Sequence, residues 1–263
     1  MITRVLIFLY AILSYGVFFA SFLYALGFVG NVVVPKSIDV GDTARMTDAL
    51  VVDLLLLSLF AVQHSVMARP AFKRWWTRIM PPAAERSTYV LLSSLVLLLL
   101  FWQWRPIPTM VWRTDGAAAV LLTCLQWTGW LVALTSTFMI DHLDLFGLKQ
   151  GLAALRGVEA QAPAFQVRWL YRLVRHPLML GFLIAFWATP MMTAGHLLFA
   201  IMTTLYILVA LQLEEFDLIA SIGDTYERYR AQVPMLVPFF PPWRGRNRVR
   251  IAEIPHRTGL EQQ

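Results

Sequence analysis

Six long apolar runs constrain the fold of this chain more than any other feature. They cover residues 5–29, 49–67, 88–104, 117–140, 178–193 and 197–213. A helix of about 20 apolar residues crosses the hydrocarbon core of a bilayer and satisfies its own backbone hydrogen bonds there. The pattern therefore predicts an all-α integral membrane protein with five to six transmembrane helices, since the last two runs are short.

The distribution of charge predicts the orientation of these helices. Of the 22 Lys and Arg residues, only Lys36, Arg45, Arg105 and Arg113 fall in one set of alternate connections. Because basic residues gather on the cytoplasmic side, both termini and the motifs described below are expected in the cytoplasm, at a bacterial inner membrane. The net charge of +6 follows membrane edges, so it does not indicate nucleic-acid binding. The one cysteine, Cys124, excludes an intrachain disulfide.

Residues 1–240 are expected to form a single transmembrane domain, and residues 241–263 a basic tail on the cytoplasmic side. The first apolar run is too long for the core of a signal peptide and is read as a retained span. The Ala/Gly/Gln-rich stretch 149–166 is expected to be a loop or lid.

The last two apolar runs predict a helical hairpin with charged groups at its mouth. The outgoing helix is expected to begin at Pro177, a favourable first helical residue, and the returning helix to end near Glu214 and Glu215. If the arms have similar lengths, Arg175-His176 and the two glutamates lie side by side. Carboxylates at a helix C-terminus oppose its dipole. They therefore need a partner, which is either the pair Arg172 and Arg175 or a charged ligand that bridges both arms.

Two upstream segments add titratable groups near the same predicted surface. His64 lies at the end of an apolar run, where a histidine is either a hydrogen-bonded structural residue or faces a functional cavity. Asp141, His142 and Asp144 cluster at the end of the fourth run. This cluster has one imidazole and lacks a second histidine four residues on, so a dedicated metal site is not expected.

The order of the C-terminal motifs resembles a known superfamily. It reads Tyr-x-x-Val-Arg-His-Pro (171–177), an apolar hairpin, Glu-Glu (214–215), Tyr-x-x-Tyr-Arg (226–230) and Val-Pro-x-Leu-x-Pro (233–238). This order resembles the isoprenylcysteine carboxyl methyltransferase-like superfamily, whose members are integral membrane enzymes that use S-adenosylmethionine. Upstream, Gln-His-Ser-Val-Met-Ala-Arg-Pro (63–70), Glu-Arg-Ser-Thr-Tyr (85–89) and Asp-His-Leu-Asp-Leu-Phe-Gly (141–147) are similar to its methanethiol S-methyltransferase branch. Met179 replaces the tyrosine usual in the superfamily.

The resemblance implies a site for S-adenosylmethionine within about residues 141–240. The implied cofactor-binding residues are Tyr171, Val174, Arg175, His176, Pro177, Leu178, Gly181, Glu214, Glu215, Tyr226, Tyr229 and Arg230. A helix start suits the cofactor carboxylate, glutamates suit its amino group or ribose, and tyrosines suit its adenine or cationic sulfur.

The resemblance also implies a small thiol as the acceptor, methanethiol or hydrogen sulfide. Since a thiolate is a far better nucleophile than a thiol, a base and a cation are expected beside it. The candidates for the base are His64, His142 and Asp144, and those for the cation are Arg86 and Arg175.

Other functions remain open from the residues alone. One is methylation of a prenylcysteine or another lipidic acceptor, and a second is reduction of a sterol double bond. The third, of a different class, is a non-enzymatic transporter or membrane accessory protein. The chain lacks a separate glycine motif for a nucleotide phosphate and shows no clear repeated halves, so methyl transfer is favoured.

Overall fold

A computed structural model describes residues 1–161 and 165–238. In these ranges the α-helices are α1 (Ile2–Gly30), α2 (Met46–Ala68), α3 (Pro70–Trp76), α4 (Pro82–Gln103), α5 (Gly116–Ile140), α6 (His142–Leu145), α7 (Leu148–Arg156), α8 (Pro177–Trp187), α9 (Ala194–Ile222) and α10 (Asp224–Gln232), with strands β1 (Met110–Arg113) and β2 (Met191–Thr193) and a short 3-10 helix at Trp169–Arg172. Five of them, α1, α2, α4, α5 and α9, are long and apolar enough to cross a membrane. The expected all-α membrane class is confirmed. The basic tail, 241–263, lies outside the described residues.

The two arms of the C-terminal hairpin differ in length, contrary to the expectation. Helix α8 has 11 residues, whereas α9 has 29 and continues past Glu214 to Ile222. The mouth still closes, because the connection from Ala188 to Thr193, which ends in strand β2, lengthens the shorter arm. The 11 residues of α8 rise about 16 Å. The six residues of the connection add up to about 20 Å. The rise of α9 from Ala194 to Glu215 is about 32 Å, which brings Glu215 level with Arg175.

Helix α8 is held against α5 by glycines at their crossing. A Cβ atom on Gly129 would lie 2.5 Å from the backbone nitrogen of Ala185, and one on Gly181 would lie 2.5 Å from that of Ala133. Each glycine precedes an alanine by four residues, which is the spacing that lets membrane helices approach backbone to backbone. Gly181, expected at the cofactor, therefore packs against α5.

The end of the bundle that carries β1 and β2, called here the closed end, contains the main core. Buried Phe28, Leu100, Trp104 and Phe199 pack together there, and the Trp104 indole N–H donates to the carbonyl of Ile38 at 3.0 Å. Strands β1 and β2 pair antiparallel with a register shift between Met110 and Trp112. Because this end is filled, open space is found at the opposite end, called here the site end.

Part of the expected lid is a helix at the site end. Helix α7, Leu148–Arg156, packs along α1, where a Cβ on Gly151 would meet the Ala11 side chain. Gly147 precedes α7 with φ of 86°, a left-handed conformation that favours glycine. The prediction of a loop or lid is wrong for 149–156, which are helical, and residues 162–164 of the stretch lie outside the described residues.

Candidate active site

A buried ion network joins the start of α8 to α9. The Arg175 Nε–H donates to Glu215 Oε1 at 2.6 Å, and the Arg230 Nε lies 3.3 Å from Glu215 Oε2. His176 Nε2 lies 3.2 Å from Glu215 Oε1. Glu215 is only 3% exposed, so its carboxylate is stabilised by these partners. The juxtaposition expected from the sequence is present, and its members pair with one another.

Arg175 is held in this network through its Nε and Nη1 atoms, which argues against its expected role as a thiolate partner. The terminal NH₂ group at Nη1 also donates to the carbonyls of Arg230 and Val233. The Arg175 backbone N–H donates to the carbonyl of Pro234 at 2.8 Å, and that of His176 to Met235 at 3.2 Å. Residues 233–235 therefore clamp the start of α8, a role that the sequence did not suggest.

The first turn of α8 keeps two free donors. Pro177 has no N–H, and the backbone N–H groups of Leu178 and Met179 have no hydrogen-bond partner among the described residues. The helix start was expected to offer its N–H groups to a carboxylate; those of Arg175 and His176 are already used, and these two remain.

Three tyrosines surround the mouth in different ways. The Tyr229 hydroxyl donates to the carbonyl of Tyr171 at 2.6 Å, and Val174, three residues further along the chain, is buried with 2% exposure. The Tyr226 hydroxyl is buried and has no partner in the described part of the chain. Burial raises the pKa of all three tyrosines, so each stays a neutral donor. Of the tyrosine hydroxyls that are fully buried in the described residues, that of Tyr226 lacks an acceptor.

Glu214 is the free acidic group of the mouth. Its side chain is 49% exposed, and its nearest ion-pair contact in the described residues is His176 Nδ1 at 3.9 Å. Successive helical residues differ by about 100°, so Glu215 faces Arg175 while Asp217 faces α2 and binds Arg69 at 2.8 Å. Glu214 lies between those two faces. Its charge contributes, after burial, to raising the pKa of Tyr171.

His64 lies at a contact of α2, α4 and α9. Its Nε2 is 2.7 Å from the Tyr89 hydroxyl, and its Nδ1 is 3.1 Å from Ser93 Oγ. The ring of Phe60 stacks on it at 5.1 Å, and Tyr206 meets it edge-on at 6.4 Å. Sequence reasoning gave no role to these four neighbours, although Tyr89 and Ser93 stand four residues apart on one face of α4.

Arg86 is the free cation beside this contact. It stands one helical turn before Tyr89, is partly buried, and makes no ion pair within 4.0 Å among the described residues. Burial raises the pKa of the Asp144 carboxyl, and the positive charge of Arg86 offsets part of that increase. The Asp144 Oδ1 accepts a hydrogen bond from the Gln150 amide at 3.0 Å.

His142 is enclosed by packing. Its Nε2 lies 2.9 Å from the Tyr15 hydroxyl and its Nδ1 2.8 Å from Thr137 Oγ1. Phe138 stacks on the ring at 4.2 Å, and burial lowers the pKa of His142. With both nitrogens engaged by α1 and α5, His142 holds the α5–α6 junction against α1. This geometry disfavours the expected role as a base.

Comparison with known proteins identifies the family. A family model described as NnrU protein matches residues 53–222. Methanethiol S-methyltransferase 2 of Bradyrhizobium diazoefficiens is 67% identical over 90% of this chain and 92% of its own. Methanethiol S-methyltransferase of Mycobacterium tuberculosis is 59% identical over 90% of this chain and 97% of its own. The chain belongs to the methanethiol S-methyltransferase family.

This membership confirms the resemblance found in the motifs. The family match spans His64, Arg86 and Glu214, so the free charged groups lie within the shared region. Nurim of Bos taurus is also similar, at 34% identity over 64% of this chain and 68% of its own. No solved structure matches the chain.

Proposed function

We propose that this protein transfers a methyl group from S-adenosylmethionine to methanethiol, producing dimethyl sulfide at the cytoplasmic side of a bacterial inner membrane. One observation supports this most directly. Arg86 and Glu214 carry opposite charges near one another: Arg86 stands one helical turn before Tyr89 on α4, Glu214 stands about two turns after Tyr206 on α9, and both tyrosines contact His64. A positively charged methyl donor and a thiolate acceptor require this combination within one space.

The residues present fit the methyl donor, which carries an amino group, a carboxylate and a cationic sulfur. Glu214 is suited to the amino group and to the sulfonium charge. The unpaired N–H groups of Leu178 and Met179 suit the carboxylate, and the orphaned Tyr226 hydroxyl is a donor for a ribose or adenine acceptor. When bound, S-adenosylmethionine supplies an electrophilic methyl group. Residues of the Glu215 network hold the helix start that presents these donors.

The acceptor side requires a stabilised thiolate. An alkyl thiol is mostly protonated near neutral pH, so a cation without a partner favours its ionised form. Arg86 is that cation, since Arg175 is held by Glu215. The thiol proton leaves to water, and the reaction releases dimethyl sulfide and S-adenosylhomocysteine. Because methyl transfer needs alignment more than covalent help, the rigid attachment of both sides to α9 is the main contribution of the fold.

A lateral groove favours a second candidate acceptor, a lipid-like thiol or prenylcysteine. The groove has a volume of about 540 Å³ and opens beside the hairpin mouth. It is lined by Leu131, Val132, Thr135, Met139, Trp169, Leu170, Arg172 and Leu173. Such an apolar surface beside Arg172 gives an amphiphile a place to bind from the bilayer, and the same holds for small apolar thiols and sulfides.

Headspace gas analysis of the purified protein tests the proposal. With S-adenosylmethionine and methanethiol, we expect dimethyl sulfide, and with hydrogen sulfide in a parallel vessel, a lower yield of methanethiol. Glu214→Gln should reduce cofactor affinity, and Arg86→Gln should reduce turnover while the cofactor still binds. Absence of dimethyl sulfide from protein that binds the cofactor would contradict a small thiol as the acceptor. A lipidic acceptor would then be the favoured substrate.

A further inference from the structure

Four side chains of α2 and α4 form a continuous hydrogen-bonded chain. The Gln63 amide Nε2 donates to Ser93 Oγ at 3.3 Å, and Ser93 Oγ lies 3.1 Å from His64 Nδ1. The other ring nitrogen, His64 Nε2, lies 2.7 Å from the Tyr89 hydroxyl. A histidine with two hydroxyl partners can donate to only one of them while neutral. The direction of this chain therefore decides which group is left with a free proton.

Ser93 fixes that direction. It is 7% exposed, and its oxygen already accepts from Gln63. The single acceptor for its own O–H among the described residues is His64 Nδ1. If His64 donated to Ser93 instead, the buried hydroxyl proton would have no partner, at a cost of about 1–3 kcal/mol. Ser93 therefore donates to Nδ1, and the imidazole carries its proton on Nε2.

The orientation of the Gln63 amide supports the same direction. As placed, its NH₂ group reaches two acceptors, Ser93 Oγ and Met67 Sδ at 3.1 Å, and its oxygen is buried without a partner. Turning the amide over would bury both N–H donors where the single oxygen now lies. Two unpaired donors cost more than one unpaired acceptor, so the amide donates to Ser93.

The result is that His64 donates to the Tyr89 oxygen, and the Tyr89 hydroxyl proton has no acceptor among the described residues. Tyr89 is partly exposed and stands one turn after Arg86 on the same face of α4. We infer that Tyr89 is a catalytic residue whose O–H donates to the acceptor sulfur, and that His64 and Ser93 are positioning residues. This inference rests on the proposed thiol methylation, and it assigns His64 a role other than that of the base.

The step balances without proton transfer to His64. The thiol loses its proton to water on entering the site, and Arg86 and the Tyr89 O–H stabilise the resulting thiolate. A sulfur lone pair forms the new S–C bond as the bond from that methyl carbon to the donor sulfur breaks, and the bonding electrons stay on the donor sulfur. Tyr89 and His64 are each unchanged at the end.

Nitrogen-15 NMR of histidine-labelled protein in detergent measures the tautomer directly, without any reaction. The chain contains five histidines, and the His64 resonances are assigned by their loss in His64→Gln. We expect a neutral ring protonated on Nε2, with the shift of a bare, hydrogen-bond-accepting Nδ1. A ring protonated on Nδ1, or an imidazolium, would overturn the inferred direction of the hydrogen bonds from Ser93 through His64 to Tyr89.

Turnover of three variants then tests the contact with sulfur. Tyr89→Phe should lower kcat at least tenfold while cofactor affinity, measured by calorimetry, stays within twofold. His64→Gln keeps an N–H donor but cannot act as a base, so it should retain at least ten times the kcat of His64→Phe. Equal loss in both His64 variants, or unchanged kcat in Tyr89→Phe, would overturn the inference. Absence of dimethyl sulfide from the unmodified protein would instead contradict the proposed function. The tautomer measured by NMR would still show whether His64 donates to Tyr89.

Discussion

At the scale of single residues, the adjacent glutamates 214 and 215 have different environments. Glu215 is enclosed by Arg175, His176 and Arg230, whereas Glu214 is half exposed. The sequence predicts the pair but not this division, because the division depends on how α9 is rotated about its axis. We therefore expect one glutamate to support the fold and the other to support ligand binding.

Substitution of each glutamate by glutamine separates these roles. Glu215→Gln leaves Arg175 buried without a full counter-charge, so we expect a loss of about 3 kcal/mol or more in unfolding free energy. Glu214→Gln should leave thermal stability unchanged and weaken cofactor binding at least tenfold, equivalent to about 1.4 kcal/mol. Thermal unfolding in detergent and calorimetric titration measure the two effects. Similar stability losses in both variants would contradict the division.

His142 predicts a pH dependence of stability. Burial lowers its pKa, so the folded protein holds the ring neutral while the unfolded chain protonates near pH 6.5. The stabilisation is complete above that pH and is lost as pH falls towards the folded pKa, at no more than about 1.4 kcal/mol per pH unit. Unfolding followed from pH 8 to pH 5 should show a shallower slope in His142→Phe than in the unmodified protein. Identical slopes would mean that His142 does not titrate differently on folding.

At the scale of elements, the α5–α8 crossing sets the position of Arg175 and His176. Gly181→Ala would drive the helices apart, because its Cβ would approach the Ala133 backbone to 2.5 Å. We expect lower thermal stability and weaker cofactor binding together. Gly16→Ala on α1 is the matched control, since a Cβ there meets nothing within 4 Å and alanine is the better helix former by about 1 kcal/mol. Both measurements should be unchanged or improved in the control, and equal behaviour of the two variants would contradict the packing argument.

Most helices could be predicted from the sequence because apolar runs in a membrane chain leave few alternatives. The break between α9 and α10 falls at Gly223, whose φ of 69° suits glycine. The unequal hairpin could not be foreseen, because the Ala188–Thr193 connection with strand β2 reads as part of an apolar run. Similarly, the Tyr89–His64–Ser93 contacts join helices distant in sequence, so no local pattern identifies them.

At the scale of the whole molecule, residues 233–235 connect the C-terminal segment to the hairpin mouth. Their carbonyls accept from Arg175 and His176. A chain that ends after Arg244 keeps this clamp and should retain nearly full activity when purified. A chain that ends after Gln232 should lose folded protein, because buried donors of Arg175 lose their acceptors. Yield of monodisperse protein and dimethyl sulfide production compare the two. Loss of activity in the longer, folded version would assign a catalytic role to the tail.

The proposed orientation of the bundle rests on its charge asymmetry, and it determines from which side a water-soluble cofactor enters. Two exposed residues mark the two ends of the bundle. Ser221, near the end of α9, lies at the site end, and Thr43, before α2, lies at the closed end. Each is changed to cysteine in a Cys124→Ser background. The positive-inside rule predicts that a membrane-impermeant maleimide labels Thr43→Cys in intact spheroplasts, and Ser221→Cys only after the membrane is permeabilised. The reverse labelling would place the site end outside the cell, where no S-adenosylmethionine is made, and would contradict the proposed function together with the topology.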